Sequence, residues 1–247
     1  MKRWGLAVIA VLVAACASSS SATDPAAAVE MIDTDGNRGP TLDASRDASR
    51  LAALDVRTTG CGPREGFGSA SLIDDGLAIT AAHVVAGVDD ITVIDQQLVE
   101  HEASVIVFDP ELDIAILRVP TGLGTPLEFF GGRVEAGDLG AITVTRERDD
   151  AGAAVTLDVD VLRRANVATT DIYRDLDVVR PGFEVAAGIE PGDSGAVVVL
   201  TGRAAGVVWS RSIELGGRAW VVNIPAPYRE VERPSSIVES VETGECA

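Results

Sequence analysis

A glycine-rich turn that runs directly into an apolar strand constrains this chain more than any other stretch. Residues 188–199 (GIEPGDSGAVVV) place Ser194 between Gly192 and Gly195 and then continue into valines. Glycine adopts backbone angles that are closed to other residues, so the Ser194 hydroxyl can stand clear of neighbouring side chains. The same turn can direct the amides of Gly192 and Ser194 at one point, as the stabilisation of an oxyanion requires. The pattern predicts an acyl-transfer nucleophile.

A serine nucleophile needs a base, and the chain has only two histidines that can supply one. His83 ends a β-branched run, residues 77–85 (LAITAAHVV), which predicts a strand that breaks into a short helical turn. Asp113 begins a run too apolar to face water, so its carboxylate needs a buried partner such as the His83 imidazolium. His101 lies between two glutamates near a predicted hairpin, where an exposed, non-catalytic role is expected.

Three blocks of this sequence resemble the trypsin/chymotrypsin-fold serine proteases, and within them the bacterial HtrA/Deg-like branch. They are TAAH at residues 80–83, DIAIL at 113–117 and PGDSG at 191–195, and they occur in the family's order. An α/β-hydrolase would instead require G-x-S-x-G and the order serine, acid, histidine. Here the order is histidine, aspartate, serine, and residue 196 is alanine, so the α/β-hydrolase architecture is excluded.

The resemblance implies a role for individual residues and a chemistry. Ser194 is similar to the family's nucleophile, His83 to its general base and Asp113 to its acid, while the amides of Gly192 and Ser194 match the oxyanion hole. Hydrolysis of peptide bonds through an acyl-enzyme is therefore expected, with no metal and no organic cofactor. Two alternatives remain: a catalytically silent or latent lipoprotein that binds envelope peptides or proteins through the same cleft, and an esterase that uses the same triad.

The resemblance also points to residues that would bind the substrate. The floor of the S1 pocket would lie at Gly188, and Val208, Trp209 and Ser210 resemble the strand that forms one wall of that pocket. Gly188 is not a carboxylate, so a small or medium apolar P1 residue is expected rather than arginine or lysine. The alternative for Trp209 is a plain role as a core aromatic. Arg218 is not placed by the sequence.

Two departures from the family affect these expectations. The chain contains no activation site of the Arg/Lys-Ile-Val-Gly-Gly type, so no new N-terminus is expected to pair with Asp193. Because an unpaired buried carboxylate is costly, Asp193 needs another partner, such as an arginine; without one, the oxyanion turn would be disordered until something binds. Few residues follow the last predicted strand, so a PDZ domain is not expected.

Short apolar runs separated by turn signals occupy the chain from about residue 51 onward. They form two groups, residues 51–130 and 131–247, which we interpret as two antiparallel six-stranded β-barrels. The predicted fold class is therefore all-β, with a short C-terminal helix within residues 226–241. The histidine and aspartate come from the first group and the serine from the second, so the active site is expected in the cleft between the barrels.

The N-terminus has the pattern of a bacterial lipoprotein. A charged start, MKR, precedes an apolar stretch too short to span a bilayer, which ends in VAAC at residues 13–16. This resembles a lipobox, so residues 1–15 are predicted to be a signal peptide and Cys16 to carry palmitate-type acyl chains. An ordinary secretory signal is the alternative. Residues 16–50 are rich in small and polar residues without an apolar period, which predicts a disordered membrane tether.

The remaining cysteines and the net charge bear on location and partners. Once Cys16 is assigned to lipid, Cys61 and Cys246 are left, and in an oxidising compartment they are expected to form a disulfide. Free thiols or an intermolecular bridge are the alternative. A net charge of −18 argues against a nucleic-acid partner. The expected location is extracytoplasmic, lipid-anchored to the cell membrane, with a protein or peptide substrate; the oligomeric state is left open.

Overall fold

The computed structural model of the protein describes residues 38–148, 151–212, 216–229 and 240–247. Twelve strands form two closed barrels in which neighbouring strands are antiparallel. The first barrel consists of β1 (Ala53–Gly60), β2 (Gly62–Asp74), β3 (Leu77–Thr80), β4 (Asp90–Ile94), β5 (Glu100–Asp109) and β6 (Ile114–Arg118). The second consists of β7 (Leu139–Arg148), β8 (Ala151–Thr170), β9 (Asp177–Ala186), β10 (Val197–Leu200), β11 (Arg203–Arg211) and β12 (Arg218–Asn223).

Each sheet closes on itself by pairing its two edge strands. The strand order is β1-β2-β3-β6-β5-β4 in the first barrel and β10-β11-β12-β9-β8-β7 in the second. The pairs β1–β4 and β7–β10 complete the two rings, which removes the open edges that exposed sheets present. A short helix, α2 (Ala226–Arg229), follows the last strand. The predicted all-β double barrel with a short C-terminal helix is confirmed.

Strand β10 joins the two hydrophobic cores. Val197 and Val199 belong to the core of the first barrel, whereas Val198 and Leu200 belong to the core of the second. Successive side chains of a strand point to opposite faces, so a strand buried on both faces needs a continuous apolar run. This explains the valines after the predicted nucleophile, and it fixes the end of the Ser194 turn at the junction of the barrels.

A helix precedes the first strand and packs on the second barrel. This helix, α1 (Arg38–Ala52), buries Ser45, Ser49 and Ala52, which recur at helical spacing on one face. The Ser49 hydroxyl donates to Thr143 Oγ1 of β7 at 3.0 Å, and the Ser45 hydroxyl accepts from the Gly202 amide at 3.2 Å, so both buried serines are bonded to the barrel. The helix therefore docks on the second barrel although the chain continues directly from it into the first.

The predicted tether of residues 16–50 is wrong over its last part, because the helix already begins at Arg38. Its packing face consists of serine and alanine, which give no apolar period, so the sequence pattern did not reveal it. Arg46 on the helix also forms an ion pair with Asp158 of β8 at 2.6 Å. The predicted signal peptide and Cys16 lie outside the described residues. Within those residues, no helix has both the length and the apolarity that crossing a bilayer requires.

A disulfide joins Cys61 to Cys246 across a sequence separation of 185 residues, which confirms the predicted pair. The C-terminal segment also binds the body of the domain through main-chain contacts. The Gly87 amide donates to the Thr243 carbonyl at 3.2 Å, and the Tyr173 hydroxyl donates to the same carbonyl at 2.7 Å. Burial raises the pKa of Tyr173, assisted by nearby carboxylates. The disulfide thus fastens an already docked C-terminal segment to the first barrel.

Loss of this disulfide is expected to lower the free energy of unfolding by about 2–4 kcal/mol, because the bridge restricts a long loop in the unfolded chain. The measurement is urea unfolding of the Cys61→Ser/Cys246→Ser double variant beside the wild type. Cys16→Ser is the matched control, and it should leave the midpoint unchanged. A double variant as stable as the wild type would contradict the prediction.

Candidate active site

His83 lies in a single 3₁₀ turn, Ala82–Val84, that directly follows β3. The turn begins where the apolar strand ends. Thr80, the last residue of β3, is fully buried, and its hydroxyl donates to the Ser69 carbonyl at 2.7 Å. Val84 then packs into the first core, which leaves the His83 side chain 31% exposed at the barrel surface. The strand and short helical turn predicted from the sequence are both present.

Asp113 is delivered to His83 by a tight turn between β5 and β6. The Asp109 carboxylate accepts hydrogen bonds from the amides of Glu111 and Leu112 at 3.0 and 2.8 Å, which closes the turn. Asp113 then adopts a left-handed conformation with φ of 60°, which costs a non-glycine residue on the order of 1 kcal/mol. This conformation positions a nearly buried carboxylate against the histidine.

The His83–Asp113 pair has the geometry that fixes an imidazole. Asp113 Oδ1 accepts from the His83 main-chain amide at 2.9 Å, and Oδ2 lies 2.8 Å from His83 Nδ1. Since an ionised carboxylate can only accept, the proton of the neutral ring is assigned to Nδ1. Nε2 is then the ring nitrogen with a free lone pair, as a general base requires.

The turn that carries Ser194 packs on the strands beside His83. The Ser69 amide of β2 donates to the Ser194 carbonyl at 2.8 Å. At Gly195, which has φ of 90°, a β-carbon would collide with the Ser69 carbonyl and with Thr80 Oγ1. Only glycine permits this close approach. No hydrogen bond joins the Ser194 hydroxyl to the His83 ring, a contact that is often long in free enzymes and tightens when substrate binds.

Two amides of the turn are left without acceptors in the described part of the chain. The Asp193 amide donates to the Glu190 carbonyl at 3.1 Å and the Gly195 amide to the Val208 carbonyl at 2.8 Å. Neither the Gly192 nor the Ser194 amide donates to a described atom. Gly192 and Ser194 are both partly exposed, so these two neighbouring donors can bind an anion or a polarised oxygen.

Arg146 of β7 forms an ion pair with Asp193 in the turn that carries Ser194. One of its terminal nitrogens lies 2.6 Å from Asp193 Oδ2 and 2.5 Å from the Gly188 carbonyl oxygen. The Asp193 side chain is only 2% exposed. The second contacts the Glu190 carboxylate at 3.0 Å. The hydrogen bond with Asp193 raises the pKa of Arg146, although burial opposes the shift. An arginine partner for Asp193 was expected, but the sequence did not indicate which arginine.

The residues predicted to bind substrate occupy different environments. Val208 has its side chain in the second core, and its amide donates to the Ala196 carbonyl at 2.9 Å. Trp209 packs against the first core while remaining partly exposed, so it is both a core residue and a surface residue. Ser210 follows a register shift in β11, and Gly188 is exposed with open space where a side chain would be.

Arg218, which the sequence left unplaced, forms an ion pair with Glu184 at 3.2 Å. Glu184 is nearly buried and also binds Arg163 at 2.6 Å, and Arg163 lies over the Trp220 ring. Burial alone would favour the neutral acid, but the two arginines outweigh it and lower the pKa of Glu184. The carboxylate is therefore already paired and does not act as a free acceptor.

His101 does not take part in this cleft. Its Nε2 lies 2.8 Å from Asp95 Oδ2, and the side chain is only 20% exposed, so the expectation of an exposed histidine is wrong. Asp95 also accepts hydrogen bonds from the amides of Gln97 and Val99. Burial opposes ionisation of Asp95, but the hydrogen bond with His101, together with those from the two amides, outweighs burial and lowers the pKa of Asp95. The pair closes the β4–β5 hairpin.

The double-barrel fold is that of a trypsin-like peptidase domain. A family model for the trypsin-like peptidase domain matches residues 68–207, and the chain belongs to that family. The serine protease Rv3671c of Mycobacterium tuberculosis is 32% identical over 149 residues. That alignment covers 60% of this chain and 36% of the relative, so the chain spans about a third of the relative's length. The predicted class of protein is confirmed.

Solved structures support the same assignment. The active form of Rv3671c protease has a TM-score of 0.70 at 26% identity, covering 81% of this chain and 87% of that one. Its inactive form has a lower TM-score, 0.61, at 27% identity, covering 76% and 88%. The HtrA-type protease AlgW has a TM-score of 0.58 at 22% identity, covering 73% and 59%, which is a likeness of fold.

Proposed function

We propose that this protein is an extracytoplasmic serine endopeptidase that hydrolyses peptide bonds through Ser194, His83 and Asp113. The observation that carries the proposal is the pairing of His83 Nδ1 with Asp113 beside a serine turn that presents two free amides. A hydrolase needs all three parts: a nucleophile, a base of fixed tautomer and donors for the developing oxyanion. No metal or organic cofactor enters the mechanism.

The geometry supports a two-step acyl transfer. His83 Nε2 removes the proton of the Ser194 hydroxyl as its oxygen attacks the scissile carbonyl carbon, and Asp113 stabilises the imidazolium that forms. The negative charge moves to the carbonyl oxygen, where the amides of Gly192 and Ser194 bind it. His83 then protonates the leaving amine, which produces an acyl-enzyme. Water activated by the same histidine hydrolyses the ester and regenerates Ser194.

We further propose that the oxyanion hole is assembled before substrate binds. The Arg146–Asp193 ion pair holds the turn without any newly formed N-terminus. The alternative function is a latent or silent module that binds envelope peptides or proteins. The missing hydrogen bond between Ser194 and His83 does not separate the two functions, because this contact is often long in free enzymes.

The cleft supports a peptide as the substrate. A pocket of about 240 Å³ lies beside the oxyanion turn, and its lining includes Phe67, Arg57 and Pro191. The Phe67 side chain is half exposed there, which suits contact with a substrate side chain close to the scissile bond. Gly188, Trp209 and Ser210 would form the other side of the binding site, with a small or medium apolar P1 residue.

We place the protein outside the cytoplasm, anchored to the cell membrane by lipid on Cys16. The sequence pattern of residues 1–16 supports this, and so does the Cys61–Cys246 disulfide, because structural disulfides persist in oxidising compartments. We also propose that the boundary between the two barrels lies at residues 130 and 131. The proposed tether is limited to residues 16–37, which lie outside the described residues, because α1 begins at Arg38.

Labelling of the full chain with a fluorophosphonate probe tests the proposed activity. Wild-type protein should be labelled at Ser194, Ser194→Ala should not, and His83→Ala should be labelled at least about 10³-fold more slowly. His101→Ala is the matched control, because it removes the other histidine of the chain and should keep the wild-type rate. No labelling of folded, oxidised wild-type protein would overturn the proposal in favour of the binding module.

A further inference from the structure

A buried arginine from the second barrel reaches the catalytic aspartate of the first. Arg180 lies on β9, and its side chain is only 3% exposed. Its Nε donates to the Glu111 carbonyl at 2.8 Å, within the turn that precedes Asp113, and one terminal nitrogen lies 3.9 Å from Asp113 Oδ2. Nothing in the sequence pattern pointed to this contact, since Arg180 precedes the predicted apolar part of its strand.

The same guanidinium also contacts the strand predicted to bind substrate. Its central carbon is 4.5 Å from the centre of the Trp209 ring, a distance typical of a cation–π contact. Trp209 follows Val208, whose carbonyl accepts the hydrogen bond of the Gly195 amide. Arg180 therefore touches, within one side chain, the aspartate of the triad and the strand next to the nucleophile turn.

Burying a charge at this position is unfavourable unless it is compensated. Burial lowers the pKa of Arg180, while three carboxylates, Asp113, Asp109 and Asp171, act in the opposite direction. Asp109 in turn accepts a hydrogen bond from the Tyr228 hydroxyl and two from main-chain amides. A neutral donor would satisfy the Glu111 carbonyl, so the carbonyl contact alone does not account for a buried charge.

We propose that Arg180 is a positioning residue for the proposed reaction and that it keeps Asp113 in place from the second barrel. Its positive charge also weakens the electrostatic attraction between Asp113 and a protonated His83. A cation 3.9 Å from the carboxylate partly cancels the attraction between that carboxylate and the imidazolium. Removal of the Arg180 charge is therefore expected to strengthen the attraction of Asp113 for the imidazolium form of His83. The inference rests on the proposed triad, but its main test does not require activity.

The test follows the ring protons of His83 by NMR across a pH titration. The chain has only two histidines, and a His101→Gln variant identifies the second signal. In Arg180→Gln the titration curve of His83 should move to higher pH by about 0.5–1 unit, whereas Arg180→Lys, which keeps the charge, should move it by less than half as much. Arg180→Met serves as a second neutral variant if Arg180→Gln does not fold.

Arg163→Met is the matched control, because Arg163 also lies over a tryptophan ring, at 5.2 Å, but is bound to Glu184 and does not touch Asp113. Its His83 curve should coincide with that of the wild type. A purely structural role for Arg180 predicts unchanged His83 curves in every variant that unfolds cooperatively, and that result would overturn the inference.

Activity gives a second readout with a distinct signature. In Arg180→Gln the acid limb of kcat/KM against pH should move in the same direction as the NMR curve, and kcat at neutral pH should fall on the order of tenfold to a hundredfold through looser placement of Asp113. Suppose that the wild-type protein is labelled by the fluorophosphonate probe, but the His83 titration curve of Arg180→Gln coincides with that of the wild type. This result would remove the inference and leave the proposed function intact. If the wild-type protein is not labelled but the His83 curve of Arg180→Gln is displaced, the proposed function would be lost and the inference about Arg180 would remain.

Discussion

Replacing Asp113 by asparagine is expected to lower kcat of the folded protein about 10⁴-fold. Asparagine keeps the shape of the side chain and one acceptor oxygen, but its amide group can donate. If that group faces His83 Nδ1, the ring must carry its proton on Nε2, and Nε2 can then no longer accept the proton of Ser194. The loss therefore arises from the wrong tautomer of His83. The measurement is kcat at pH 7 on a peptide substrate identified with the wild type.

Asp109→Asn is the matched control for this variant. Asp109 lies in the same turn and accepts hydrogen bonds from the amides of Glu111 and Leu112, but it does not contact the His83 ring. An asparagine oxygen can still accept both bonds, so kcat should change less than tenfold. A kcat for folded Asp113→Asn within tenfold of the wild type would show that Asp113 is not the residue that orients His83.

Replacing Arg146 by methionine is expected to abolish most of the activity and to destabilise the protein. The carboxylate of Asp193 is 2% exposed, and removal of its cation leaves a buried charge without compensation, which typically costs about 3–5 kcal/mol. The Gly188 carbonyl and the Glu190 carboxylate lose the same partner. We expect the turn to rearrange, so that fluorophosphonate labelling slows at least about 10²-fold through loss of the aimed amides.

Two further variants separate charge from packing at this site. In Arg146→Met/Asp193→Asn the buried charge is removed together with its partner, so most of the lost stability should return. Arg46→Met is the matched control, because the Arg46–Asp158 pair has the same 2.6 Å distance but is solvent-exposed, and exposed pairs contribute little. Equal effects of Arg46→Met and Arg146→Met on the unfolding midpoint would contradict the argument.

The sequence predicted the fold class because its strongest signals are those of buried strands. The run after Ser194 is apolar on both faces, and β10 indeed contributes to both cores. Helix α1 escaped prediction because its packing face is made of Ser45, Ser49 and Ala52, residues that carry no hydrophobic signal. Strand β9 also begins six residues before its apolar part, since Asp177 to Gly182 pair with β8 through main-chain bonds that composition does not reveal.

The candidate site also has parts that the sequence predicted and parts that it did not. The blocks around His83, Asp113 and Ser194 are local patterns, and each local structure they predict is present. The partners that hold these blocks come from strands distant in sequence, as Arg146 and Arg180 do. Identifying these two arginines among the basic residues of the chain requires knowledge of the strand register. The need for a cation at Asp193 was predictable from the cost of a buried carboxylate, whereas the cation near Asp113 was not.

Because β10 supplies side chains to both cores, neither barrel is complete without the other. A chain cut between the barrels would leave Val197 and Val199 without the first core, and that core would lack two of its valines. The two halves are therefore expected to melt in one cooperative transition, with the amides of β10 exchanging hydrogen for deuterium only on global unfolding. The nucleophile turn is thus attached to the most slowly opening part of the molecule, and its geometry should persist up to the melting temperature.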